Sequence, residues 1–310
     1  MMTTKKPYYD FGDFLKKRFP FKVQKISVNA GFTCPNRDGT VGFGGCSYCN
    51  NQTFNPGYCF TVSGISEQLR EGIHFFARKY PEMKYLAYFQ AYTNTYASLQ
   101  ILKHKYEEAL SFPDVVGLII GTRPDCMPEE LLDYLAVLAK TTYIQVDYGI
   151  ESTLDETLRR INRGHSYQQA IDAIRRTHER GIPVGAHLIL GLPGESRQQI
   201  LAHADRISTL PIDTLKLHQL QIIRHTAMEQ EYIAHPERFR LYTPLEYANL
   251  TVDFLERLNP HIAIDRFISQ SPKELLIAPD WGLKNFEFTA LVNKQFALRQ
   301  TKQGNQNRRD

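Results

Sequence analysis

The sequence predicts an α/β fold: a partial (β/α)6 barrel of the TIM type with a C-terminal α-rich extension. Three observations predict it. Six short β-rich apolar runs alternate with segments whose apolar residues recur at three- and four-residue spacing. The unusual polar residues gather just after those runs, where parallel α/β folds bind ligands. The alternation then breaks near residue 220. Eight strand–helix units would close a full barrel, so six imply an open one.

In chain order, residues 1–20 read as an N-terminal segment and 21–220 as the core. The strands are expected at 25–28, 84–90, 115–120, 143–150, 184–190 and 214–218. The clearest helices are expected at 66–80, 96–111, 128–138, 166–180 and 195–208. Their punctuation agrees: Ser166 can cap its helix, Gly181 with Pro183 stops it, and Pro128-Glu129-Glu130 reads as a first turn whose acids suit the helix dipole. Residues 221–292 form the extension, with helical segments at 225–240 and 245–258, a strand at 262–266 and a short helix starting at 272–276. Residues 293–310 are polar and carry Lys294, Arg299, Lys302, Arg308 and Arg309, so they are expected to be a disordered tail.

The bulk composition narrows the class. The chain has 310 residues, 42% hydrophobic and 23% charged, as in a soluble globular protein. A formal net charge of +4 tolerates a polyanionic partner without demanding one. No apolar run is long enough to span a bilayer, which excludes a membrane partner, and the polar N-terminus argues against a signal peptide. Five cysteines, an odd number, argue against a disulfide framework and for the reducing cytoplasm.

The chemistry concentrates after the first run. Cys34 is followed after eleven residues by Cys46, and after two more by Cys49. Three thiolates cannot close a four-coordinate site, so a metal centre held this way keeps a position open. Gly42, Gly44 and Gly45 allow the chain to bend around it. Further groups follow the other strands: Gln90 to Tyr96, Gly121 to Cys126, Asp147 to Ser152, Gly191 to Glu195, and Lys216-Leu217-His218. By strand register Arg123, His187 and His218 point into the barrel, as candidate catalytic or carboxylate-binding residues.

The cysteine cluster, the Tyr92–Tyr96 loop, Glu151 and the run from His187 to Glu195 together resemble the radical S-adenosyl-L-methionine (SAM) superfamily over roughly residues 20 to 220. The segments 31–39, 92–96, 122–126 and 161–165 resemble the bacterial YhcC/YtqA-like family most closely. That family is akin to the catalytic subunit of Elongator, which shares the widened first cysteine gap. The resemblance implies a 4Fe-4S cluster on Cys34, Cys46 and Cys49, with SAM on the fourth iron. Reductive cleavage of SAM would yield a 5′-deoxyadenosyl radical that takes a hydrogen atom from substrate. It also implies that Tyr92, Thr93 and Asn94 meet the SAM amino group, Glu151 the ribose, and Leu190, Gly191 and Leu192 the adenine, with Tyr48 shielding the cluster.

Two classes of substrate fit this reading. One is an RNA nucleoside, with a tRNA wobble uridine side chain as the specific expectation; the other is a small metabolite or a protein. The electron would come from a donor such as flavodoxin or ferredoxin. The competing reading is a zinc-binding module without catalysis, with Cys59 as the fourth ligand. Each residue also has a plainer explanation: Cys59 and Cys126 as buried small side chains, Glu151 as a cap or a partner of Arg159 or Arg160, and the histidines as satisfied core groups.

Overall fold

In a computed structural model that describes residues 6–61, 64–77 and 82–307, six parallel strands follow one another across a single sheet. They are β1 (Val23–Val28), β2 (Lys84–Phe89), β3 (Val115–Thr122), β4 (Tyr143–Glu151), β5 (Val184–Leu190) and β6 (Thr214–Gln219). A two-residue strand β7 (Ile222–Ile223) leaves the sheet, and β8 (Ala263–Arg266) returns to it beside β6, giving the order β1-β2-β3-β4-β5-β6-β8. Because spatial order follows chain order and crossovers share one hand, the helices cover one face and the sheet curls around the other. Lys25 on β1 lies 2.5 Å from Asp265 on β8, at the opposite end of the strand order. Only a strongly curled sheet permits that. The barrel is partial, as expected, but it has seven strands: the expected strand at 262–266 joins the sheet instead of staying with the extension.

The first helix, α1 (Phe11–Lys16), is capped by the Asp10 carboxylate on the Asp13 amide. Asp10 makes a parallel bridge to Ile264 of β8. The helix drives Phe11, Phe14 and Leu15 against Leu86, Tyr88, Ile119 and Ala263, which plugs the lower end of the barrel. Next come α2 (Tyr58–Thr61), α3 (Ile65–Ala77), α4 (Leu99–Ser111), α5 (Glu129–Leu138), α6 (Asp155–Arg160), α7 (Tyr167–Glu179) and α8 (Arg197–Ile207). The expected end of α3 at residue 80 lies outside the described residues. Ser166 and Gln169 make a reciprocal capping box on α7, as do Ser196 and Gln199 on α8. With Ser196 as cap, Glu195 belongs to the preceding turn and not to the helix.

The later elements differ more from expectation. The helix foreseen over 225–240 stops at Ala234 as α9 (Ala227–Ala234), because Pro236 cannot continue it. After α10 (Pro244–Arg257), the helix expected from 272 is a turn leading into β9 (Leu276–Ala278), which pairs antiparallel with β7. The expected disordered tail is overturned: α11 (Asn285–Arg299) runs through its first half and buries Phe288, Val292 and Phe296. Beyond it Gln303 is buried, donating to the Asn259 and Ile262 carbonyls and accepting from the Tyr9 amide. Its polar sequence disguised a tether. Arg308 and Arg309 lie outside the described residues. Among the described residues no helix is long and apolar enough to cross a membrane.

Candidate active site

The cysteine loop begins after β1 and folds on itself. The Cys34 carbonyl accepts from the amides of Arg37 and Asp38 (2.8 and 3.3 Å), and the Pro35 carbonyl from that of Val41 (2.8 Å). Asp38 and Phe43 then pair in an antiparallel bridge. The eleven-residue gap is therefore a closed miniature hairpin that returns the chain to Cys46 beside Cys34. Gly44 and Gly45, at φ 76° and 79°, make the final turn in a conformation that costs other residues free energy. The Cys49 amide bonds the Cys46 carbonyl at 3.0 Å, which closes the last cysteine pair.

A second segment buttresses this loop. The Asn162 amide donates to the Gly45 and Phe43 carbonyls (2.8 and 3.2 Å), and the Asn162 carbonyl accepts from the Asn36 amide at 2.6 Å. The Ser47 amide bonds the Ile161 carbonyl. Arg163 reaches Cys46 Sγ at 3.4 Å and the Gly149 carbonyl at 2.6 Å. Arg123 locks the segment from behind: its guanidinium forks onto Asp125 (3.0 and 2.8 Å) and donates to the Arg163 carbonyl at 2.7 Å. Residues 161–165, whose role the sequence alone left open, are the wall on which the cysteines stand.

One cavity at the C-terminal ends of the strands joins most of the expected site residues. Cys34, Cys46, Cys49, Tyr48, Tyr92, Thr93, Arg123, Glu151, Arg163, His187 and His218 all line it. Glu151 sits at φ 68° after a register shift in β4, which re-aims its side chain at Arg163, 3.7 Å away. Burial raises its carboxyl pKa, and Arg163 and Tyr48 oppose the rise. Thr93 is wholly buried with no partner for its hydroxyl.

Four residues that the resemblance places near SAM make other contacts within the protein through their side chains or Cα. Asn94 is absent from the cavity wall, because its side-chain amide is spent on the Ala91 and Gly121 carbonyls (3.1 and 2.8 Å), bracing a turn in which Ala91 and Tyr92 both have positive φ. Leu190 and Leu192 are buried in hydrophobic clusters. A methyl on Gly191 would meet the Tyr242 ring at 3.1 Å, so its openness admits that ring. The cavity reaches Ile189 and Gln219 to Gln221 instead. Glu195 ties the turn after β4 to α8, accepting from the Ser152 hydroxyl at 2.6 Å beside the buried His203.

At the floor of the cavity, where Tyr88 and Asp147 line it, the barrel interior carries charge. Lys216 lies 2.8 Å from the Tyr88 hydroxyl and 3.4 Å from both Asp147 and Asp265, while Lys25 is held by Asp265. Gly185 makes room for this: a methyl there would stand 2.0 Å from Asp147 Oδ1. Above the acids His187 lies 3.3 Å from Asp147, and the rings of His187 and His218 are 5.7 Å apart. Burial and the Lys216 charge push His187 down to about 4. Burial and the Arg266 charge push His218 well below its ordinary value, and burial with Arg163 lowers His165.

These histidines set a pH dependence. Unfolded histidine takes up a proton near pH 6.5, but these rings resist it in the folded state, so the unfolded chain binds more protons below that pH. Stability is expected to be full above pH 7 and to fall as pH drops through 6.5 towards 4. His187 alone accounts for roughly 2 kcal/mol at pH 5. Urea unfolding at pH 7, 6 and 5 should show the decline, and His187→Asn should flatten it.

The donor set fits an iron–sulfur cluster. Three thiols share one cavity wall, and Arg37, Arg163 and Asn36 stand against the loop that carries them. Burial pushes the Cys49 thiol up to about 12, so ligation must displace its proton. Among the described residues no three His, Cys, Asp or Glu side chains converge as they would on a single ion. Cys59 is off the cavity, with its sulfur 3.6 Å from the Ser27 carbonyl, and so it is no fourth ligand for zinc. Cys34, Cys46 and Cys49 would hold the cluster, with Thr93, Tyr92 and Glu151 facing the SAM beside it.

A curled parallel half-barrel with three cysteines after its first strand defines a radical SAM enzyme, and the comparisons agree. The profile of the radical SAM superfamily matches residues 31–207, and that of the radical SAM C-terminal domain matches 212–297. YtqA of Bacillus subtilis (strain 168) is 34% identical over 301 residues, 97% of this chain and 93% of the relative. A tRNA uridine(34) acetyltransferase of Dehalococcoides mccartyi (strain CBDB1) is 27% identical over 173 residues, 55% of this chain and 36% of its own length. Among solved structures, the archaeal Elp3 of Methanocaldococcus infernus shares the fold with a TM-score of 0.69 at 17% identity, covering 91% of this chain and 64% of that one. The chain belongs to the radical SAM superfamily and within it to the YhcC/YtqA-like family. Its cofactors are a 4Fe-4S cluster and S-adenosyl-L-methionine, which together supply reductive carbon–sulfur cleavage and a radical able to take hydrogen from substrate. The protein's part is to orient both, to hold the cysteine loop rigid through Asn36, Asn162 and Arg163, and to keep the reacting space enclosed.

Proposed function

We propose that this radical SAM enzyme modifies an RNA nucleoside, with the side chain of a tRNA wobble uridine as its target. The observation that carries the reading is the likeness, over more than half of the chain, to a protein named for acting on tRNA uridine(34). The setting of the mouth supports it. The cysteine hairpin displays Phe43, 79% exposed, and Tyr92 beside the cavity is 40% exposed with the Arg37 guanidinium 6.0 Å from its ring. An exposed aromatic next to a cation is a surface on which an unstacked base can rest. A reduced flavodoxin or ferredoxin supplies the electron.

Filter binding of bulk tRNA to the cluster-loaded protein tests this. Affinity is expected to fall steeply with salt, by about 10-fold or more between 50 and 200 mM. A modified uridine should also differ between wild-type and deletion strains. No tRNA binding at low salt, together with identical nucleosides in both strains, would move the substrate to small metabolites or proteins.

A further inference from the structure

Arg266 stands out when the charges around the cavity are paired. Near the cysteines, Arg163 faces Glu151 and Arg123 is forked onto Asp125. Arg37 lies along the cysteine loop, with Nη2 on the Cys49 carbonyl at 2.7 Å. Deeper in, Lys25 and Lys216 are matched by Asp265 and Asp147. Arg266, at the end of β8, lines the same cavity, and among the described residues no carboxylate lies within ion-pair distance of it. Its Nη2 stands 3.3 Å from each ring nitrogen of His218, and its Nε is buried with no partner. His218 is held neutral by burial and by Arg266 itself, so it offers no counter-charge. The neighbouring polar groups are also neutral: Gln219 is tied to the Ser269 backbone, and the Ser271 hydroxyl to Gln221. A half-buried guanidinium with its Nε sealed from water and no anion beside it is costly, and its fork matches a carboxylate.

We propose that Arg266, with His218 and His187 beside it, is the binding site for a single carboxylate of the substrate, so that this enzyme acts on a carboxylate-bearing group held at the floor of the cavity. Two interior acids against three interior cations leave one positive charge, which a monoanion balances and a phosphate dianion would overshoot. Of the expected SAM contacts, Tyr92 and Thr93 follow β2 and Glu151 ends β4, whereas Arg266 ends the strand beyond β6. That placement assigns Arg266 to the substrate and not to the carboxylate of SAM. The inference rests on the cavity being the radical SAM site and not on the substrate being RNA.

Equilibrium dialysis of radiolabelled acetate, inorganic phosphate and SAM against anaerobically cluster-loaded protein, at constant ionic strength, tests it. Wild type is expected to bind acetate saturably and more tightly than phosphate. Arg266→Gln should weaken acetate at least tenfold, Arg266→Lys less, and both should keep SAM affinity within twofold. Equal acetate binding in wild type and Arg266→Gln would overturn the proposal, as would tighter phosphate binding or a parallel loss of SAM affinity. A measurement on wild type alone covers the case in which a variant does not fold. Acetate should slow phenylglyoxal modification of Arg266, read by peptide mass spectrometry, and an unchanged rate also overturns the assignment. None of these steps needs RNA or electrons, so their outcome is separate from that of the tRNA experiment.

Discussion

Alanine at Cys34, Cys46 or Cys49 is expected to reduce bound iron to background and to abolish reductive SAM cleavage, whereas alanine at Cys59 or Cys126 leaves both in place. The contrast follows from position. The first three line one cavity, and the other two do not. Cys59 is spent on the Ser27 carbonyl, and Cys126 lies 3.9 Å from Asp125 Oδ1. A cubane anchored by two thiolates leaves two irons without protein ligands, so the loss is of the cluster itself and not a graded change in rate. Iron and sulfide analysis after anaerobic reconstitution, with 5′-deoxyadenosine measured after adding dithionite and SAM, checks it. Retention of iron and of cleavage in any of the three variants would remove that cysteine from the ligand set. Loss of iron in Cys59→Ala would restore the four-thiol reading.

The three cysteines that line the cavity were legible in the sequence because their spacing is a local pattern, and the six strands because apolar runs and helix caps are local too. What holds the cysteine loop was not legible. Asn36, Asn162 and Arg163 act across more than a hundred residues of chain, and an asparagine that binds a distant carbonyl looks like any loop asparagine. The partners of Asn94 and Gly191 were hidden for a related reason: each lies at a strand end, and its contact is with a turn carbonyl or a distant ring. The interior charges did leave a signal. Gln145, Asp147, Gly149 and Glu151 alternate with Ile144, Val146, Tyr148 and Ile150, and Thr214, Lys216 and His218 repeat the pattern. A polar period of two in a strand covered by helices places the polar face inside a barrel. The tail failed in the opposite direction: its polarity hid the apolar face of α11 and the three side-chain hydrogen bonds of Gln303.

That interior alternation leads to the second large effect, which is on stability. Lys216→Met is expected to cost about 3–5 kcal/mol, because it leaves two buried carboxylates with one fewer cation between them. Lys216 is the side chain that touches both Asp147 and Asp265, and it also accounts for the Tyr88 hydroxyl at the same level. Burial by itself would raise both acids. Lys216, with His187 and Lys25, outweighs it at Asp147 and holds that carboxyl well below its usual range; Lys25 and Lys216 bring Asp265 down to about 2. A carboxyl depressed on folding contributes stability that is complete above its unfolded pKa of about 4 and is lost as pH falls towards the folded value. In Lys216→Met the acids lose that advantage, so the variant should be weakest relative to wild type at neutral pH, and the gap should narrow as pH falls below 4 towards the folded values. Asp147→Asn in the same background removes one of the stranded charges and should recover part of the loss, which a double-mutant cycle by urea unfolding at pH 7 measures as coupling. A cost below about 1 kcal/mol, or a double variant whose losses simply add, would mean that water reaches these charges and that the floor of the barrel is wet instead of sealed.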